Sequence, residues 1–133
     1  MRPVSILLAT VLCAPLCAPA ADWLVIASGY DQVTMVDRQS FRREGNRSEA
    51  WLMQNHDRRV NAPGLDRPYR SQRIHMVFDC GQHLLGADQR VLHSGTNGQG
   101  SVVANEQIKP DALRMAAPQT QVETMLLEMA CAA

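Results

Sequence analysis

From Asp22 onward, apolar and polar positions alternate in short runs separated by turn residues. Period-two alternation puts every second side chain on one face of a strand, so each run predicts a strand with a buried and a wetter side. WLVIAS over 23–28 opens the series, with Trp23, Val25 and Ala27 on one face. Gly29-Tyr30-Asp31 marks a turn, and QVTMVD over 32–37 returns as the second strand of a hairpin. Residues 38–47 cross over, with Gly45-Asn46 as a tight-turn signal. The third strand, SEAWLMQNHD over 48–57, carries Trp51 and Met53 on one face and Ala50 and Leu52 on the other.

The clearest alternation is SQRIHMVFDC over 71–80, where Ile74, Met76 and Phe78 oppose His75 and Val77. Another strand follows within 83–95, bent near Gly86. The glycine-rich connection GTNGQG, 95–100, then leads to a sixth strand over 101–108. Residues 58–70, RRVNAPGLDRPYR, show no periodicity and predict the longest loop of the domain.

The period changes after Pro118. Val122, Met125, Leu126 and Met129 fall in one narrow arc at 3.6 residues per turn, and Pro118 and Thr120 stand where helices start. A helix laid across an open sheet covers an apolar face that would otherwise meet water. The predicted fold is therefore α+β: a twisted antiparallel sheet of about six strands packed against one C-terminal helix.

A length of 133 residues bounds this to one small domain, and the first twenty residues are read apart from it. Arg2, the apolar run ILLATVLCAPLCAPA and the small-x-small ending Ala18-Pro19-Ala20 predict a cleaved export signal over 1–20. The run is too short and too interrupted by proline to span a membrane, and 21–133 is expected to contain no transmembrane span. Leu12 precedes Cys13 and Leu16 precedes Cys17, where lipidation would require a small residue, so the signal reads as unlipidated. The chain balances 13 basic against 13 acidic residues, and the leader removes only Arg2 from that balance. Nothing in it favours nucleic acid or an anionic membrane.

Of the four cysteines, Cys13 and Cys17 leave with the signal, and Cys80 and Cys131 remain. An exported chain meets oxidising conditions, so this pair predicts a disulfide. Closing a loop of about fifty residues is worth about 4 kcal/mol in the chain-entropy model. Cys131 falls opposite Val122 on the helical wheel, so the bond requires the helix to fray or end by about residue 130. A Cys80–His83 catalytic pair lacks an orienting carboxamide or oxyanion loop. His75, Asp79, Cys80 and His83 lack metal-ligand spacing, and GTNGQG lacks the lysine and following helix of a phosphate loop. His56, His75, His83 and His93 are scattered. No catalytic residue, cofactor or metal ligand is assigned, and the expectation is a protein that is not an enzyme.

The candidate binding feature is the arginine-rich loop, with Arg58, Arg59, Arg67, Tyr69 and Arg70 poised to grip acidic or aromatic partners. The plainer alternative is a solvated loop whose arginines pair with Asp57 and Asp66. Trp23 and Trp51 are expected in the core.

DWLVI at 22–26, VDRQSFRREGN at 36–46, AWLM at 50–53, YRS at 69–71, VFDC at 77–80 and LLEMAC ending at Cys131 follow one another in an order that resembles the surface-adhesin protein E-like family of Gram-negative bacteria. The resemblance implies a sheet packed on a C-terminal helix, with Cys80 and Cys131 tying the two together. It also implies adhesion to host matrix or serum proteins. The sequence lacks a lipoprotein signal and any adhesive peptide that can be transferred residue by residue. The expectation is an exported, periplasmic or cell-surface binding domain with a host-matrix or envelope protein as partner, and with edge pairing as a route to a homodimer. The alternative is a soluble periplasmic envelope accessory with no host target.

Overall fold

The alternating runs become one seven-stranded antiparallel sheet in a computed structural model that describes residues 20–132. The export signal expected over 1–20 lies outside the described residues, apart from Ala20. The strands are β1 (Trp23–Ser28), β2 (Gln32–Asp37), β3 (Arg42–Glu44), β4 (Arg47–Val60), β5 (Tyr69–Asp79), β6 (Leu84–His93) and β7 (Val102–Gln107). Their spatial order is β1-β2-β4-β5-β6-β7, with the short β3 pairing on β4. The helix α1 (Gln121–Cys131) follows all of them.

Two strand readings change. In β1 the register shifts between Val25 and Ala27, so the strict alternation through Val25 breaks. Val25 is 54% exposed, while Ile26 packs on the core. A bulge swaps the faces at the cost of one unpaired residue, and a single strand's composition does not announce it. The arginine-rich loop is also shorter than expected. β4 continues to Val60, which pairs with Tyr69 after a register shift beyond Asn55, and only 61–68 connect the strands. Asp57, Arg58 and Arg59 are exposed, so no alternation marked them as strand. Backbone pairing holds them instead, with the Asp57 N–H donating to the Asp31 carbonyl at 3.0 Å.

One sheet face presents Val36, Ala50, Leu52, Phe78 and Leu85 to Leu126, Leu127 and Ala130 of α1. The helix starts at a Thr120 cap, whose Oγ1 accepts from the Glu123 N–H at 3.1 Å. The Glu123 carboxylate reaches back to accept from the Gln119 N–H at 2.6 Å. The buried stripe centres on Ala130, about a quarter turn from the Val122–Met129 arc expected from sequence. Val122 and Met129 pack at one margin of this stripe and Cys131 at the other. The helix therefore runs through Cys131 without fraying and still closes the bond to Cys80, with a Cα–Cα distance of 5.5 Å. The expected early end is unnecessary because the wheel was centred on the wrong side chains.

The opposite face buries Met53, Val77, Val91, His93 and Ser71. The 94–101 loop folds onto it: Asn97 and Asn55 exchange hydrogen bonds at 2.8 and 2.7 Å, and the Ser71 hydroxyl donates to the Gly95 carbonyl at 2.6 Å. Gly98, at φ 69°, lies so close to Met53 that an added Cβ would sit 3.1 Å from its methyl carbon. The segment after β7 bridges back through Leu85 and Ala116.

His93 is 6% exposed, and neither ring nitrogen has a protein hydrogen-bond partner. Burial, with the Arg73 charge second, holds its pKa below the ordinary imidazole value. The folded chain then prefers neutral His93, while the unfolded chain takes up a proton near pH 6.5. This contribution to stability is fully present above about pH 6.5 and is lost as pH falls toward the folded-state pKa. The melting temperature is expected to drop between pH 7.5 and pH 5, and to drop less in His93→Gln. An identical pH slope in that variant, followed by circular dichroism, would remove His93 as the cause.

Candidate functional site

The structure places the five expected partner-binding residues in different settings. Arg67 donates from Nη1 to the Ser101 hydroxyl and from Nη2 to the Val102 carbonyl, both at 2.9 Å, and so fastens the 61–68 connection to the start of β7. Arg70 donates from Nη2 to the Asp57 carbonyl at 3.0 Å and braces the end of β4. Tyr69 is buried at 8% exposure, edge-on to His56 with ring centroids 5.5 Å apart. These three are engaged within the fold. The first two strap backbone that would otherwise be loose, and Tyr69 opens β5 facing inward opposite Val60.

Arg58 and Arg59 remain exposed at the end of β4. Neither forms an ion pair among the described residues, so the alternative in which the cluster's arginines pair with Asp57 and Asp66 does not occur. Tyr30 stands near Arg58 at the β1–β2 turn, which the Gly29 N–H closes onto the Gln32 carbonyl at 2.8 Å. It is 97% exposed. Tyr30, Asp31, His56, Asp57, Arg58 and Val60 border one shallow depression of 520 Å³. Sequence reading passed over Tyr30 because it sits in a turn that nothing links to β4 until the strands are paired.

A second concave region lies on the sheet face away from α1. Trp51 sits directly opposite His75 in the β4–β5 register, with ring centroids 4.8 Å apart, and the Arg73 guanidinium lies 5.2 Å from the Trp51 ring centroid. His75 Nδ1 is 2.6 Å from Asp88 Oδ1, and its Nε2 is 3.9 Å from Glu49 Oε2. Trp51 is thus half-buried at the edge of a cleft rather than in the core where it was expected. The alternation placed Trp51 and His75 correctly within their strands, but not Asp88, which depends on a β6 bulge. Among the described residues no group of three or more His, Cys, Asp or Glu is arranged to hold a metal ion. Among them, too, no helix is long and apolar enough to cross a membrane.

A β-meander crossed by one C-terminal helix, with helix and sheet joined covalently and its polar features on open surfaces, defines a small disulfide-tethered α+β domain. The model of the family described as surface-adhesin protein E matches residues 23–132, and the chain belongs to that family. Among solved structures, the crystal structure of protein E from non-typeable Haemophilus influenzae is similar at TM-score 0.60 and 17% identity, over 90% of this chain and 81% of that one. The selenomethionine form of Haemophilus influenzae protein E gives TM-score 0.59 and 17% identity, over 87% and 93% of the two chains. Crystal form II of that protein gives 0.59 and 16%, over 87% and 94%. These likenesses show the fold. No curated protein matches the chain.

Proposed function

We propose that this protein is an exported, non-enzymatic binding domain that holds a protein partner at the corner formed by Tyr30 and Arg58, with the exposed Arg59 next to it in the chain. The observation that carries the reading is a fully exposed aromatic ring bordering one depression with the Arg58 guanidinium, while neither Arg58 nor the adjacent Arg59 forms an ion pair among the described residues. Tyr and Arg dominate the energetic centres of protein interfaces, because both combine a large flat surface with directed donors. Membership of an adhesin family supports a host matrix or serum protein as that partner. Residues 1–20 then serve as a cleaved export signal. The open edges β1 and β7 carry exposed Leu24, Val25 and Val102, which suits self-pairing into a homodimer.

The triple variant Tyr30→Ser, Arg58→Ser, Arg59→Ser is expected to weaken binding to immobilised matrix proteins about tenfold or more, equivalent to about 1.4 kcal/mol. Its melting temperature should match the wild type. Arg67→Ser and Arg70→Ser should instead lower the melting temperature, because each removes hydrogen bonds to backbone carbonyls. Surface plasmon resonance decides the matter: undiminished binding by the triple variant would sink the corner's role.

A second reading, a periplasmic accessory with no host target, is favoured by Leu12 and Leu16 standing before the two leader cysteines. An impermeant protease applied to intact cells separates the two. Cleavage supports the adhesin, and protection until the outer membrane is opened supports the accessory.

A further inference from the structure

Four residues that the Tyr30 corner does not use form a straight row across the sheet. Trp51 of β4 pairs in register with His75 of β5, His75 with Gln89 of β6, and Gln89 with Gln107 of β7. Directly opposed residues share a face, and neighbouring strands lie about 4.8 Å apart, so the row spans about 14 Å. It forms the floor of a cleft of 410 Å³, walled by Asp88 and by the Ile108-Lys109-Pro110 segment leaving β7. We infer that this cleft is a binding site for a neutral hexopyranose, taken as a ring within an oligosaccharide.

The bulge in β6 is the first support. His75 pairs with Gln89 and Met76 with Ala87, which leaves Asp88 as the extra residue. Bulges re-aim side chains, and this one turns the Asp88 carboxylate to within 2.6 Å of His75 Nδ1. The Asp88 carbonyl accepts from the Ile108 N–H at 2.8 Å and so fixes the wall opposite Trp51. His75 Nδ1 is thereby occupied, and Nε2 is the ring's remaining polar atom. Glu49, at 3.9 Å, is too distant to hydrogen-bond it.

The donor set supplies the ligand class. Asp88, Gln89 and Gln107 are planar groups with two polar atoms side by side. Gln89 Nε2 donates to Asn105 Oδ1 at 3.2 Å and Asp88 Oδ1 is held by His75. This fixes both groups and leaves Gln89 Oε1 and Asp88 Oδ2 toward a ligand beside the Gln107 carboxamide. Vicinal hydroxyls of a sugar ring both donate and accept, so they satisfy such atoms in pairs. Trp51, which lines the cleft with one ring face under the Arg73 guanidinium, adds an aromatic surface suited to the apolar C–H side of a pyranose. The lining carries one carboxylate, Asp88, and one ammonium, Lys109, so the cleft as a whole favours neither an anion nor a cation. A phosphate would meet the Asp88 carboxylate, and among the described residues no group of three or more His, Cys, Asp or Glu is arranged for a metal. The volume lies within the range of about 300–1,000 Å³ usual for small-ligand sites.

The chain holds two tryptophans, so Trp23→Phe leaves Trp51 as the sole fluorescent reporter. This variant is titrated with tri-N-acetylchitotriose and, separately, with methyl β-galactoside, and saturation-transfer NMR of the wild type with the same sugars stands beside it. The expected result is a saturable change for at least one sugar, at an affinity on the order of millimolar. Asp88→Asn and Gln107→Ala should each weaken it about fivefold or more, an effect equivalent to about 1 kcal/mol. Arg58→Ser should leave it unchanged, which separates this site from the Tyr30 corner. Response to chitotriose alone identifies an amino-sugar polymer as the source, and response to the galactoside alone a galactose-bearing glycan. Absence of a signal for both sugars in both measurements overturns the site. Equal binding by wild type, Asp88→Asn and Gln107→Ala overturns it too, because the sugar is then held elsewhere.

Discussion

Replacing both Cys80 and Cys131 with alanine is expected to lower the melting temperature by about 15 °C. The bond links positions 51 residues apart, and a closed loop of that size removes about 4 kcal/mol of entropy from the unfolded chain. For a domain a little over 100 residues long, each kcal/mol moves the midpoint by about 4 °C. The effect falls hardest on α1. An 11-residue helix is marginal alone, and its hold on the sheet rests on Leu126, Leu127 and Ala130 with a few marginal contacts. Arg43 adds one tie at the helix end, donating to the Cys131 carbonyl at 2.6 Å. Thermal melts of the wild type, the double variant and the wild type under reductant should place the last two together. A fall of less than about 3 °C would mean that apolar packing alone seats the helix.

Phe78→Ala should cost about 4 kcal/mol, close to half of what a domain of this size has in hand. Phe78 is 0% exposed and lies between Ser48 and Leu85 in the register, beneath α1. Removing the ring leaves a cavity in the apolar layer between sheet and helix. Urea denaturation with an unchanged slope would report this as a loss of stability alone. The two losses should not add. Phe78 is two residues from Cys80, and both act through the seating of α1, so the combined variant should lose less than the sum. Strict additivity would place Phe78's contribution within the sheet.

Much of this architecture was legible in the residues. The alternation at Ile74, Met76 and Phe78 marked the face of β5 that meets α1. In β4 the alternation separated Ala50 and Leu52 from Trp51 and Met53 without showing that Ala50 and Leu52 face the helix. The export pattern singled out Cys80 and Cys131 as the pair, and the structure joins them. What could not be read belongs to pairing between strands. The swap of Val25 for Ile26 and the re-aiming of Asp88 each depend on one unpaired residue, which leaves no trace in composition. Arg58 and Arg59 looked like loop because water reaches both sides of that end of β4. Arg67 and Arg70 looked free because their acceptors are backbone carbonyls, invisible to any count of charges. The helix face was misjudged for a different reason. Met125 and Met129 are the larger side chains, but small Ala130 lets α1 lie close to the sheet.

The Cys80–Cys131 bond also changes how the domain would carry mechanical tension. Force entering at β1 and leaving beyond Cys131 crosses directly from the end of β5 to the end of α1. The residues between the two cysteines form a covalent ring that such a pull cannot lengthen. Fully extended, that stretch would add about 170 Å, at about 3.4 Å per residue. Under load only the strands before Cys80 can unravel, while β6, β7 and α1 stay outside the line of force.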